Sequence, residues 1–479
     1  MSAAAFFLRE VELFERDVKL RLPFRFGVVT LTECPQLFVR ARIETPDGRS
    51  GWGVAAEMLA PKWFDKTLAV TNEDNFDQLR LSTKTARELY LGDRIARTAF
   101  GFFSAHYRAQ IDICRDLGLN ALIASYGPAL LDRAMLDALC RLEAVSFYTA
   151  MQHNLAGIDA PLVAPDLDGF DIGRFLASRK PAATIAARHT VGLVDPITAT
   201  DAKSRVDDGL PETLEEVVTA YGHTWFKLKV GGDIKADIDR LSAIAAVLDR
   251  GAAYRSTLDG NEQYDDVEAV ITLWRKIQEI PALKRLAASV IFIEQPIKRQ
   301  QALARDVKAL AALKPVIIDE SDDTLDVFPR AKALGYAGIS SKTCKGLYKS
   351  LLNAARVEQW GPAYMMSAED LTTQAGISVQ QDLALVNFIG LTHVERNGHH
   401  YVDGFAGAPG TETARFLDAH PDLYHRTNGK VRLKISNGQL ALGSLAGPGF
   451  AVGAEPDWQA MRPMPQPRST FITASVQRK

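Results

Sequence analysis

From residue 189 to about 396 the chain alternates short apolar runs with longer stretches whose apolar positions recur at helical spacing. The runs fall at 190–194, 224–230, 256–261, 290–296, 316–320, 338–344, 364–368 and 392–395, with helices predicted between them, among others over 233–250, 265–279, 346–359 and 374–388. Eight strands alternating with helices predict a closed α/β barrel in preference to an open sheet. The chain before this region has another texture. Residues 6–22 and 36–56 read as strands, the second stretch folding back at Thr45-Pro46-Asp47-Gly48-Arg49-Ser50, and 66–155 reads as helical, including an apolar-periodic stretch over 129–149. After about residue 405 the chain is loop-rich and predicts a hairpin, Val431-Arg432-Leu433-Lys434-Ile435, turning at Asn437-Gly438. The expected organisation is an α+β unit over 1–185, a barrel over 186–404, and a segment over 405–479 that packs back on the N-terminal unit.

Several barrel runs end in charge. Lys227 and Lys229, Asp259, Glu294, Asp319 and Lys342 sit at the C-terminal ends of successive strands, and consecutive strands of a parallel fold bring those ends to one rim. Side chains two apart on a strand share a face. In Trp225-Phe226-Lys227-Leu228-Lys229-Val230 both lysines therefore face one way, into the barrel mouth if Phe226, Leu228 and Val230 pack on the outer helices. Crowding and partial burial are expected to drive one ammonium toward neutrality and make it a general base. Taken singly, Asp259 also suits an Asx turn, Glu294 an arginine pair and Asp319 a helix cap. Three carboxylates converging on one rim repel, and Mg²⁺, with one oxygen from each, resolves the conflict in octahedral geometry. Ser340 and Lys342 share a parity and are expected to face inward, which sets Lys342 across the mouth from Lys229 with the acids between them. A base, an acid and a Lewis acid so arranged suit removal of a proton α to a carboxylate.

Composition narrows the class. The chain has 479 residues, 47% hydrophobic and 24% charged, which suits a folded protein with more than one unit. A net charge of −2 gives no electrostatic case for nucleic acid or an anionic membrane. Cys34, Cys114, Cys140 and Cys344 are far apart and form no CxxC pair, so neither a zinc knuckle nor a disulfide framework is indicated. No basic, apolar leader pattern and no run of 18 apolar residues occurs, and a cytoplasmic enzyme without membrane or nucleic-acid partners is the expectation.

The motifs in order, Lys227-Leu228-Lys229, Asp259-Gly260-Asn261, Glu294-Gln295-Pro296, Asp319-Glu320-Ser321 and Lys342-Thr343-Cys344-Lys345-Gly346, resemble the enolase superfamily, specifically its muconate lactonizing enzyme-like subgroup. The resemblance implies a modified TIM barrel, (β/α)₇β, with an α+β capping domain. It implies Mg²⁺ on Asp259, Glu294 and Asp319, with Lys229 and Lys342 as the acid/base pair and Lys227 as an ancillary lysine tuning Lys229. Of the adjacent Asp319 and Glu320 only one should ligate, and the family pattern favours the aspartate. Glu369 falls where the family places an acid at the seventh strand; a mandelate racemase-type histidine is lacking there, which favours lysine chemistry on both faces. His393 and Glu395, on the eighth strand, and Asn261 and Glu320 are expected near the substrate. Specificity in this family resides in the cap, so 21–27 and 53–58 are the loops of interest, with Arg25 pairing a distal acid of the substrate and Phe24 and Phe26 excluding water. The cap is longer than usual for the family between about 58 and 128.

The implied activity is Mg²⁺-dependent abstraction of the α-proton of a small carboxylic acid, giving a metal-stabilised enediolate. An isomerase (racemase, epimerase or cycloisomerase) leads. A lyase dehydrating a hydroxy or sugar acid, and a non-catalytic binding protein on the same scaffold, stand as alternatives. A Schiff-base aldolase would need no acid triad. Family members commonly assemble, so a homo-oligomer is expected.

Overall fold

The computed structural model describes residues 3–26 and 29–468. Met1, Ser2, Gly27, Val28, the Phe26 side chain and residues 469–479 lie outside that description. The N-terminal unit is an antiparallel sheet, β1 (Phe7–Phe26), β2 (Val29–Glu44) and β3 (Ser50–Met58), followed by helices. The apolar residues of the sheet's inner face, among them Val39, Ala41 and Ile43, are buried under helix Tyr126–Leu142. Gly53 makes that contact intimate: a Cβ there would lie 2.1 Å from the Ala138 backbone nitrogen. The apolar period over 129–149 does not form one helix. Its chain breaks after Leu142, with Ala144 in the left-handed region (φ 52°), and restarts at a Ser146 cap into Phe147–Gln152.

The barrel strands are β4 (Thr184–Val191), β5 (Trp225–Lys229), β6 (Arg255–Asp259), β7 (Val290–Glu294), β8 (Val316–Ile318), β9 (Gly338–Ser341), β10 (Met365–Ala368) and β11 (His393–Glu395). All pair in parallel in the spatial order β10-β9-β8-β7-β6-β5-β4-β11. Helices fill the intervals, giving the (β/α)₇β pattern. The first strand runs earlier than the expected 190–194. Its inward positions include Arg188 and Thr190, so the apolar signal that marks the other strands is diluted there. Side chains close the seam between the last two strands. The Asp370 N–H donates to Glu395 Oε2 (3.0 Å), and Arg188, from the first strand, reaches Ser367 Oγ and the Ala368 carbonyl (both 2.9 Å).

The C-terminal segment differs in detail from the expected hairpin. Lys430–Leu433 (β13) pairs back onto Tyr424–Thr427 (β12) across Asn428-Gly429. Asn437-Gly438, with φ of 50° and 70°, turns the chain into Gln439–Ala441 (β14), which lies antiparallel to the start of β4. Two Asn-Gly turns occur close together, and alternation alone does not say which strands each one joins. Further on, Arg462–Pro463 (β15) pairs with β1 at Phe14 and Glu15. The tail thus touches both the N-terminal unit and the barrel.

Candidate active site

β5 delivers the two lysines as its period dictates: Phe226 and Leu228 are in the core, and Lys227 and Lys229 project into the barrel mouth, 1% and 6% exposed. Lys227 Nζ sits among four carboxylates, 2.7 Å from Glu369, 2.9 Å from both Asp259 and Glu294, and 3.1 Å from Glu395. Lys229 Nζ donates to Asp259 Oδ2 and to Asn261 Oδ1. Burial pulls the Lys227 ammonium down, but the surrounding acids outweigh it and hold the group well above the ordinary lysine value. Of the two lysines expected to crowd each other, Lys227 is thus not the one driven toward neutrality, because carboxylates, not the second lysine, are its nearest neighbours.

The acids are set by their strand ends. Asp259 Oδ1 accepts from the Asn261 N–H (2.8 Å), with Asn261 at φ 42°, a conformation that asparagine tolerates. Gly260 lies against the next strand end, where a Cβ would come within 2.5 Å of Pro296 Cα. Gln295, itself at φ 32°, holds the third acid in place: its Oε1 accepts from the N–H groups of Asp319 (2.9 Å) and Ser321 (3.1 Å), and its Nε2 donates to Ser321 Oγ (2.8 Å). The glutamine following Glu294 is thus a positioning residue that the motif carried without revealing its job. Asp319 is the member that faces inward, bonded by Lys342 Nζ (2.7 Å) and Ser340 Oγ, with Lys345 Nζ at 3.4 Å. Glu320 turns the other way, to Asn261 Nδ2 (2.8 Å) and Lys66 Nζ (3.2 Å).

Lys342 lies across the mouth on the far side of β6, β7 and β8 from Lys229. Burial lowers it, yet the Asp319 carboxylate beside it more than compensates, and its net shift is upward. The indole of Trp63, from the cap, covers this ammonium at 4.1 Å. Lys229, Lys342, Lys227, Asn261, Glu395 and Asn397 line one small cavity of about 30 Å³, roofed by Phe24, Leu31, Ala60, Trp63 and Leu371. Trp63 and Lys66, which the sequence reading did not single out, come from the extra length of the cap.

Other candidates are placed as follows. Arg25 is exposed and does not line the cavity, whereas its neighbour Phe24 does. Residues 53–58 form buried strand β3 and not a loop; Glu57 accepts from Thr343 Oγ1 (2.9 Å) and Ser378 Oγ (3.1 Å) and pairs with Arg133, tying cap to barrel. Glu369 is bonded by Arg188, and burial raises it above the usual carboxylate value although Arg188 and Lys227 pull it back. Glu395 accepts from Thr190 and Asn397, and in spite of burial Lys227 and Lys229 hold it well below that value. His393 is stacked on Trp225 at 4.1 Å and bonded to Arg188, and burial together with that guanidinium pushes it down to about 2, so it stays neutral.

The donor set suits a hard cation. Glu294 Oε2 is buried without a hydrogen-bond partner, and burial together with the neighbouring Asp259 and Glu369 raises its carboxyl well above the usual range. A buried carboxylate oxygen lacking any donor, between two further acids on adjacent strands, is what an oxygen-ligated divalent ion would satisfy.

A capped barrel of this order, with three acids on successive strand ends flanked by lysines on either side, defines the enolase type of fold. The chain belongs to the enolase C-terminal domain-like family, whose model matches residues 209–459. Among curated proteins it is similar to an N-succinyl-L-Arg/Lys racemase of Bacillus cereus, 23% identical over 256 residues, which is 50% of this chain and 63% of the racemase. The chain thus matches less than two thirds of that relative's length. Among solved structures it is similar to a muconate lactonizing enzyme from Mucobacterium Smegmatis complexed with muconolactone (TM-score 0.61, 19% identity, 95% of this chain and 98% of that one). It is also similar to a dipeptide epimerase from Enterococcus faecalis V583 complexed with Mg and L-Leu-L-Tyr (TM-score 0.59, 15% identity, 93% and 99%). Among the described residues no helix is long and apolar enough to cross a membrane.

Proposed function

We propose that the chain is a Mg²⁺-dependent isomerase, a racemase, epimerase or cycloisomerase, that moves the α-proton of a small carboxylic acid. The observation that carries this reading is the pair Lys229 and Lys342, which reach one cavity from strands on opposite sides of the acids. Asp259, Glu294 and Asp319 would hold Mg²⁺, which when bound supplies positive charge to the substrate carboxylate. Lys229 Nζ and Lys342 Nζ would take the proton from one face of the α-carbon and return one on the other, and Lys227 would keep Asp259, Glu294, Glu369 and Glu395 in register around them. Phe24, Leu31, Trp63 and Leu371 exclude water and meet the apolar remainder of the substrate. Similarity to a racemase and an epimerase supports proton return over elimination. The free, buried cysteines suit a reducing, cytoplasmic setting.

The test is to incubate the protein with Mg²⁺ and N-acylated amino acids, dipeptides and hydroxy acids in D₂O and follow the α-proton by NMR. Deuterium at the α-carbon with inversion is the expected result. A keto-acid product would replace the isomerase reading by the lyase one. Exchange with no acid in the panel, unchanged in Lys229→Ala, would overturn the catalytic reading altogether.

A further inference from the structure

Behind the wall of the barrel three histidines meet. His189 is the outward-facing neighbour of Arg188 and Thr190 on β4. His223 follows Gly222, between helix Leu214–Tyr221 and β5. His399 belongs to the short helix Gly398–Tyr401 after β11. One ring nitrogen from each lies within 4.8 Å of the other two. Ring centroids are 5.3 Å apart for His189 and His223, 5.5 Å for His223 and His399, and 5.6 Å for His189 and His399.

Packing alone does not account for the cluster. His189 Nδ1, His223 Nε2 and both nitrogens of His399 are shielded from solvent and have no hydrogen-bond partner, while His223 Nδ1 is bonded to the Ala187 carbonyl (2.9 Å). A buried imidazole normally has at least one partner for its ring nitrogens. Here several such nitrogens face one another, with a carbonyl fixing the ring of one of them, which is the outer contact that metal-bound histidines usually have. Burial also holds all three rings neutral, the form that ligates.

From this geometry we propose that His189, His223 and His399 form a site for a borderline divalent transition ion, with Zn²⁺ the best fit. Three neutral imidazoles suit Zn²⁺ and disfavour Mg²⁺, which prefers oxygen. Two nitrogens on tetrahedral bonds of about 2.0–2.1 Å are about 3.4 Å apart, so the rings close by about an ångström on binding. His399, carried on a short helix and not on a strand, is the ligand that would make this approach. A cavity of about 180 Å³, lined by Tyr221, Arg396, His399 and His425 among others, adjoins the cluster and leaves room for a water in the fourth position. The two nearby guanidiniums are already neutralised, Arg396 by Asp370 and Asp382 and Arg21 by Asp208. The ion would join the first barrel strand to the helix that follows the last, and so anchor Glu395, Arg396 and Asn397 from behind.

The experiment uses the full-length, untagged protein, stripped with chelator and titrated with Zn²⁺ and, separately, Co²⁺. Expected are one equivalent bound, visible Co²⁺ bands of low coordination number, X-ray absorption with three imidazole nitrogens at about 2.0–2.1 Å, and a higher thermal midpoint with Zn²⁺. His399→Gln, on the short helix Gly398–Tyr401, should weaken binding by roughly tenfold or more, and Asp259→Asn should leave it unchanged. No bound Zn²⁺, or binding undiminished in His399→Gln, would overturn the site. If a His189 variant does not fold, the absorption spectrum of the wild-type protein still decides, since oxygen-only coordination excludes it.

Discussion

Trp63 lays its indole 4.1 Å from the Lys342 ammonium, so a residue of the cap covers the charged end of a lysine in the barrel. A cation over a tryptophan face gains about 0.5–2 kcal/mol, and Asp319 on the other side adds to it. Trp63→Leu is expected to favour the neutral amine and to move the pH at which exchange sets in, on the face of the substrate that Lys342 serves, downward by about 0.4–1.5 units, with Trp63→Phe giving a smaller shift. The opposite enantiomer, served by Lys229, should exchange at close to the wild-type rate. Equal slowing of both enantiomers would mean that the ring only shapes the cavity.

The two lysines should be separable. Lys229→Ala and Lys342→Ala are each expected to lower racemisation by about 10²–10⁴-fold, while each retains α-deuterium exchange on one enantiomer only. Proton NMR in D₂O with the pure enantiomers measures this. Loss of exchange on both enantiomers in either variant would refute a division of labour between them.

Much of the frame was legible in the sequence because the barrel strands are short apolar runs ended by charge, and the strand period alone put Lys227 and Lys229 on one face. Asp319 over Glu320 was a matter of pattern, and the structure places Asp319 inward because Gln295 seizes its backbone N–H. Other features were not legible. Lys66 reaches the barrel mouth at Asn261 and Glu320 and Trp63 reaches it at Lys342, across 195 to 279 residues of sequence, and no local pattern records such a meeting. Arg25 was attractive as a charge in a cap segment, yet strand alternation turns it outward and gives the inward place to Phe24. The histidine cluster escaped notice because its members come from a strand, a loop and a short helix far apart in the chain.

Lys227 is expected to matter to stability as well as to turnover. Its single ammonium serves four buried carboxylates, and breaking a buried ion pair by removing one partner costs about 3–5 kcal/mol. Lys227→Met should lower the urea midpoint accordingly in Mg²⁺-free buffer, and added Mg²⁺ should restore more stability to the variant than to the wild type. A variant as stable as wild type without Mg²⁺ would contradict this account of the acids.

The cap is clamped by Arg21, whose Nη2 meets Asp208 Oδ1 at 2.8 Å and whose Nη1 meets the His400 carbonyl at 2.7 Å. Burial tends to raise the Asp208 carboxyl, but the bond to Arg21 outweighs it and the net shift is downward. A depressed aspartate contributes stability that is fully present above the unfolded value near 3.9 and is lost as pH falls through the lower folded value. The difference in unfolding free energy between wild type and Asp208→Asn should therefore be level, at about 1–3 kcal/mol, from pH 7 to about 5 and shrink below about 4. A difference that stays constant into strong acid would remove this pair from the cap–barrel clamp.

The antiparallel strand Gln439–Ala441, seated against the first barrel strand, has a consequence for how such proteins diversify. A barrel cut out as a cassette near residue 404 would leave the start of β4 with an unpaired edge, a template for adhesion between copies. New caps therefore cannot be grafted onto this barrel as one contiguous insert at its front. Exchange has to carry the segments on both sides of the barrel together, so that variation in what the cap recognises arrives by point substitution and loop growth, as around Trp63, more readily than by recombination.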